Sequence, residues 1–227
     1  KGIYEVENCL SAGGGMYGKV YLQKTVLAGD ELLRGVLRRV QEHLGAGPPP
    51  DWLARGSRAL LFFLRHDIRA DQIDEPTVRD HYVQLDDTDI LFSLKQWMQG
   101  PDPILADLCR RFVNRRFLRV TFVPRSPDAA QMEQWRAQVA DWLVAEGLAA
   151  RTEASAAARH YLTANVSRQT AYDSDQELIG ILGRNGTVQE LSEMADTATI
   201  SELTGFVEKP YVCAPKPVNL DLSLPPG

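Results

Sequence analysis

Between Leu22 and Leu44 the apolar residues Leu22, Val26, Leu33, Val36, Leu37, Val40 and Leu44 recur at steps of three, four or seven. That repeat lays one apolar stripe along a single helix of about six turns. The run stops at "GAGPPPD" (45–51), because consecutive prolines lack a donor and block the preceding turn. A second helix is expected over 52–65, with Trp52, Leu60, Leu61 and Leu64 inward, and Pro76-Thr77 opens a third that runs to about Gln84. In "LDDTDILFSLKQWMQG" the aspartates suit a helix cap and Gly100 suits its end, and "PDPILADLCRRFVNRR" carries Pro in its first turn. Residues 1–115 therefore read as a helical block.

The pattern changes after Arg116. "FLRVTFV" alternates with β-branched and aromatic residues, "DAAQMEQWRAQVADWLVAEG" has the helical repeat up to Gly147, and "RHYLTANVS" alternates again. Asn185-Gly186 between two apolar runs predicts a hairpin, "EKPYVCAPK" a last strand, and the closing "SLPPG" a fraying tail. The expected fold class is α+β: a mainly helical N-terminal block, 1–115, followed by a small α+β subdomain, 116–227, with a short antiparallel sheet.

Composition narrows the function. Apolar residues make up 44% and charged residues 24% of 227, the balance of an ordinary folded protein. The net charge of −5 speaks against a duplex nucleic acid as partner, while Arg110-Arg111 and Arg115-Arg116 leave room for a small anion. The longest apolar run, "ALLFFL", is too short to span a bilayer, and no secretory leader opens the chain. A cytoplasmic location without membrane contact is expected. Cys9, Cys109 and Cys213 have no metal-ligand spacing and are expected to be reduced and structural.

Several patterns invite a chemical reading. Gly13, Gly18 and Lys19 have P-loop spacing, but Val20 stands where a working loop needs a hydroxyl for the metal. The glycines at 13–15 would each cost a helix about 1 kcal/mol relative to Ala, so they mark a break. His66-Asp67, with His43 upstream, supplies the residue types of a metal-dependent hydrolase; a solvated helix end explains the pair better. His81 and His160 lack a nucleophile context, and capping accounts for Asp86, Asp87 and Asp89. Lys24, Arg115 and Arg119 form a dispersed set of anion contacts, with Arg suited to bidentate phosphate binding.

The segments "VYLQKTVLAGDELL", "LDDTDILFSLKQW", "ILADLCRRFVNRRFLRV" and "KPYVCAPK" occur in an order that resembles the HD-domain deoxynucleoside triphosphate triphosphohydrolases. The resemblance implies a mainly helical fold and a divalent metal (Mg, Mn, Fe or Zn) held by ligands upstream of the matched segments. It implies cleavage of a deoxynucleotide to nucleoside and triphosphate. By it, Tyr21 faces the substrate pocket, Gln23 and Lys24 lie at nucleotide phosphates near a subunit interface, and Arg115 and Arg119 match positions that contact an activating nucleotide. Gln23 replaces a residue that is usually His in the family, and the glycines at 13–15 replace a stretch that is often basic.

The resulting expectation is the C-terminal portion of such a phosphohydrolase, inactive alone and without a cofactor of its own. It would bind nucleotides and assemble as a homo-oligomer. The alternative is a non-catalytic interaction or scaffold protein, and a weaker third reading is a hydrolase that uses His43, His66 and Asp67.

Overall fold

A computed structural model describes residues 24–169, 180–182, 186–190 and 207–222. The glycines at 13–15, Gly18, Lys19 and Val20 of the P-loop-like stretch, Cys9, Tyr21, Leu22, Gln23, Asn185 and the closing "SLPPG" lie outside the described residues. Among the described residues the fold is α+β, with about half of them helical and two small antiparallel sheets.

The long helix α1 spans Lys24–Gly45. Its buried line runs through Ala28, Leu32, Gly35, Val36, Val40 and Leu44, joined by Glu31. This corrects the expected stripe: Val26 is 43% exposed, and Leu33 and Leu37 are only half-buried. The true face contains Ala28 and Gly35, small residues that let neighbouring segments come close and that hydrophobicity alone does not mark.

The second helix is shorter than 52–65. Helix α2 spans Arg58–Arg65, and Ser57 caps it by accepting from the Leu60 N–H. Turns occupy 51–55 instead, because Trp97 donates its indole N–H to the Leu53 carbonyl at 2.9 Å. The Trp97 ring also fills the space beside Gly56, where an added Cβ would lie 2.6 Å from it. A 3₁₀ turn at Ala70–Gln72 precedes α3, Pro76–Tyr82. Helix α4, Asp87–Trp97, is capped reciprocally by Asp86 and Asp89, and α5, Pro103–Val113, is capped by Asp102. Asp89 also accepts from the Ser57 hydroxyl at 2.5 Å, which ties α4 to the start of α2.

Strand β1, Arg119–Phe122, leads through α6, Ala129–Ala145, and a short α7, Ala154–Ala158, to β2, Thr163–Gln169. Strands β3, Gly180–Leu182, and β4, Val188–Glu190, pair as the expected hairpin, with Gly186 at φ 79°. The last strand, β5, spans Val207–Ala214 and lies between β1 and β2, antiparallel to both. Helix α1 packs between α5 and this three-stranded sheet, and its buried residues share one core with Leu105, Leu108, Val120, Tyr211 and Cys213. Cys109 and Cys213 are buried free thiols in that core, and burial is the main reason that the pKa of each is pushed up to about 12.

The C-terminal half of α1 is held by charge as well. Asp102 accepts from Arg39 Nε at 2.7 Å and lies 2.5 Å from His43 Nε2. Burial would raise the Asp102 carboxyl, but these partners outweigh it and hold the group below its ordinary value. Glu42 reaches Arg39, Arg159 and the fully buried His160. Burial pushes the His160 imidazole below its ordinary value, with Glu42 opposing only in part. His160 is therefore a packed residue of the core.

This packing can be tested at a glycine and at a histidine. Gly35→Ala places a Cβ 2.6 Å from the His160 carbonyl oxygen, whereas Gly45→Ala meets nothing within 4 Å. Urea denaturation should show Gly35→Ala destabilised by about 1–3 kcal/mol, with Gly45→Ala neutral or slightly stabilised. The histidine test concerns acid. A His with a lower pKa folded than unfolded lets the unfolded chain take up more protons as pH falls below roughly 6.5, so stability drops in that window and not above it. The melting temperature should therefore fall as pH drops below about 6.5, and His160→Gln should flatten that slope whatever its effect at neutral pH.

Candidate functional site

The first turn of α1, the link from α5 to β1, and the residues after β5 enclose a cavity of about 300 Å³. Lys24, Thr25 and Ala28 line it from α1, Arg115, Phe117 and Leu118 from the link, Arg119 and Val120 from β1, and Lys216 from beyond β5. The structure thus brings together three of the residues expected at an anion site, Lys24, Arg115 and Arg119. Tyr21 and Gln23 lie outside the described residues.

Each cation has a local reason for its position. Lys24 opens α1, with its ammonium 5.7 Å from the centroid of the Phe122 ring. Arg119 starts β1 and donates Nη2–H to the Lys216 carbonyl at 2.7 Å, which joins the strand to the segment after β5. Arg115 follows the Asn114 cap of α5 and has a φ of 55°. Its N–H donates to the Phe112 carbonyl at 3.0 Å, and the Arg116 N–H to the Arg111 carbonyl at 2.8 Å. This is a Schellman ending with Arg at the left-handed position where Gly is usual. The bend turns the chain towards the cavity, where the Arg115 guanidinium lies 6.0 Å from the Phe117 centroid.

The electrostatic character follows from the lining. Lys24, Arg115, Arg119 and Lys216 surround the cavity, and among the described residues no carboxylate lines it. Among them, too, none of these four side chains forms an ion pair. Charges of one sign gathered in a cleft focus the field on a small counter-ion, despite the net −5 of the chain. Lys216 and Thr25 carried no assigned role in the sequence. Lys216 closes "KPYVCAPK", but only the pairing of β5 with β1 brings it to Arg119.

The metal-hydrolase combination is not assembled. His43 is committed to Asp102 and edge-on to Trp52. His66 caps the end of α2, its Nδ1–H donating to the Phe62 carbonyl at 2.9 Å, and Asp67 is exposed. His81 stacks on Phe62 with centroids 4.0 Å apart. Among the described residues no group of three or more His, Cys, Asp or Glu is placed to hold a metal ion. Nor is any helix among them long and apolar enough to cross a membrane.

No family model matches the chain. In sequence it is 26% identical over 213 residues to the uncharacterized protein YwfO of Bacillus subtilis, covering 90% of this chain and 43% of that protein. In structure it is similar to a phosphohydrolase from Bacteroides thetaiotaomicron, with a TM-score of 0.74 and 30% identity, over 95% of this chain and 51% of that one. The chain spans about half the length of these relatives, and its fold is phosphohydrolase-like.

Proposed function

We propose that this chain is the C-terminal portion of an HD-type nucleotide phosphohydrolase, and that its own contribution is a cleft for the phosphates of a deoxynucleoside triphosphate or a related nucleotide. The observation that carries this reading is the convergence of Lys24, Arg115, Arg119 and Lys216 on one cavity that no described carboxylate lines. Guanidinium groups bind phosphate oxygens bidentately, and the lysines add mobile point charges. Phe117 offers the base or sugar an apolar wall, and the Thr25 hydroxyl supplies a further polar contact. Gln23 and Tyr21, just upstream of Lys24, are assigned to the same nucleotide surface and to the substrate pocket by resemblance. A subunit contact at this cleft, and hence a homo-oligomer, belongs to the same proposal.

A divalent metal would activate water in such an enzyme. The described residues do not fit it, since His43, His66 and Asp67 are separately engaged or exposed. No catalytic step is assigned to them, and the chain alone is proposed to be inactive. The reading as an interaction protein draws on a different feature: an apolar groove of about 320 Å³ lined by Phe63, Ile68, Ile73, Val78, Tyr82 and Leu85 among others. Its rim residues Ile73 and Tyr82 are 54% and 62% exposed.

Thermal-shift titration and calorimetry with deoxynucleoside triphosphates decide between the two. On the nucleotide reading a deoxynucleotide raises the melting temperature, and salt weakens the effect. Lys24→Ala and Arg119→Ala each lower affinity about tenfold or more, the size of a lost charge-assisted contact. Arg115→Gly is the sharper case, because Gly suits the left-handed position. That variant should gain about 1 kcal/mol of stability without ligand and lose most of the stabilisation by ligand. No thermal shift with any nucleotide would leave the interaction protein as the better reading.

A further inference from the structure

Glu31 is a carboxylate on the buried face of α1, only 1% exposed. Its Oε1 accepts from Tyr211 Oη at 2.8 Å, Arg34 Nη1 at 2.9 Å and Asn165 Nδ2 at 3.2 Å. Its Oε2 has no hydrogen-bond partner among the described residues. A buried charge with one oxygen unsatisfied is costly, and a leucine would continue the apolar face at less expense. Packing therefore gives no reason for a carboxylate at this position.

The sheet register does give one. Phe122 on β1 and Asn165 on β2 both stand directly opposite Tyr211 on the central strand β5, so the three side chains leave the sheet on one face as a single row. Helix α1 lies over this row. Glu31 engages Tyr211 and Asn165, and Lys24, two turns earlier on the same helix, has its ammonium over Phe122. Phe122 in turn meets Tyr211 edge-on, at a centroid distance of 6.4 Å and an interplanar angle of 81°.

We infer that Glu31, acting through Tyr211 and Phe122, is a positioning residue for Lys24 in the cationic cleft; the inference rests on the reading of that cleft as a phosphate site. The Glu31–Tyr211 hydrogen bond fixes the rotation of α1 about its axis and its register over the row. Turning the helix by one residue would swing Lys24 away from Phe122. Held over that ring by cation–π attraction, the ammonium keeps its N–H donors for the ligand. Lys24 is thereby pre-organised, and less ordering has to accompany ligand binding.

A double-mutant cycle on the full chain, read by calorimetry with inorganic triphosphate, tests this. Tyr211→Phe removes only the hydroxyl and should weaken triphosphate binding about three- to tenfold. In a Lys24→Met background the same change should cost nothing further, whereas in an Arg119→Ala background the full loss should persist. Glu31→Ala should reproduce the loss of Tyr211→Phe, and Glu31→Gln, whose amide oxygen still accepts from Tyr211, should recover most of it. If Glu31→Ala does not fold, Tyr211→Phe and Phe122→Leu carry the same cycle. Equal losses from Tyr211→Phe in all three backgrounds would reveal a merely structural role and overturn the inference. Tight binding by wild type with Tyr211→Phe unchanged would overturn it while leaving the phosphate site intact, whereas failure of wild type to bind triphosphate would overturn both.

Discussion

The structure depends on one helix packing against two layers at once. Helix α1 presses Leu32, Val36 and Val40 into the core it shares with α5 and the sheet, and each such side chain stabilises the fold by about 1.5–3 kcal/mol on burial. Burial alone does not fix where a helix sits along or around its own axis, because apolar contact is non-directional. Polar contacts do that here. Glu31 meets Tyr211 and Asn165 near one end, while Arg39 and His43 meet Asp102 near the other. The close approach of the His160 backbone at Gly35 adds a steric stop between them.

The cationic cleft is a by-product of that placement. Its walls come from the start of α1, the bend after α5 and the end of β5, three segments that meet because α1 and the sheet share a core. Arg115 shows that the cleft is costly to the fold. A left-handed backbone at a non-glycine residue is unfavourable, and Gly would end α5 more comfortably. The bend instead carries a guanidinium at the edge of a cavity that already holds three other cations. Arg115 thus combines a strained backbone with a charge that forms no ion pair with a carboxylate among the described residues.

The opposite end of the helical layer has another character. Around α2 and α3 the Phe62 ring lies against His66 and His81, and Ile73 and Tyr82 leave an apolar rim open. Charge and apolar exposure are thus gathered in different places: charge where α1 meets the sheet, and apolar exposure where the short helices meet one another. The phosphohydrolase of similar fold is about twice as long as the segment it shares with this chain.

Much of this was legible in the sequence. Capping aspartates, Pro103 in a first turn, the Asn185-Gly186 signal and the alternation of "FLRVTFV" act over a few residues, and local patterns of that kind determined the helices, the strands and the α+β class. Lys24, Arg115 and Arg119 were recognisable as candidate anion contacts from residue type and resemblance. Their convergence was not, because it depends on β5 inserting between β1 and β2 from the far end of the chain. Lys216 became part of the cleft for the same reason. Nor could the sequence tell that turns replace the first part of the expected 52–65 helix, since Trp97 enforces them from 44 positions after Leu53. Periodicity specifies elements; the tertiary structure alone decided which charges find a partner and which face one another across a cleft, because that depends on long-range strand pairing and on the rotation of α1 over the sheet.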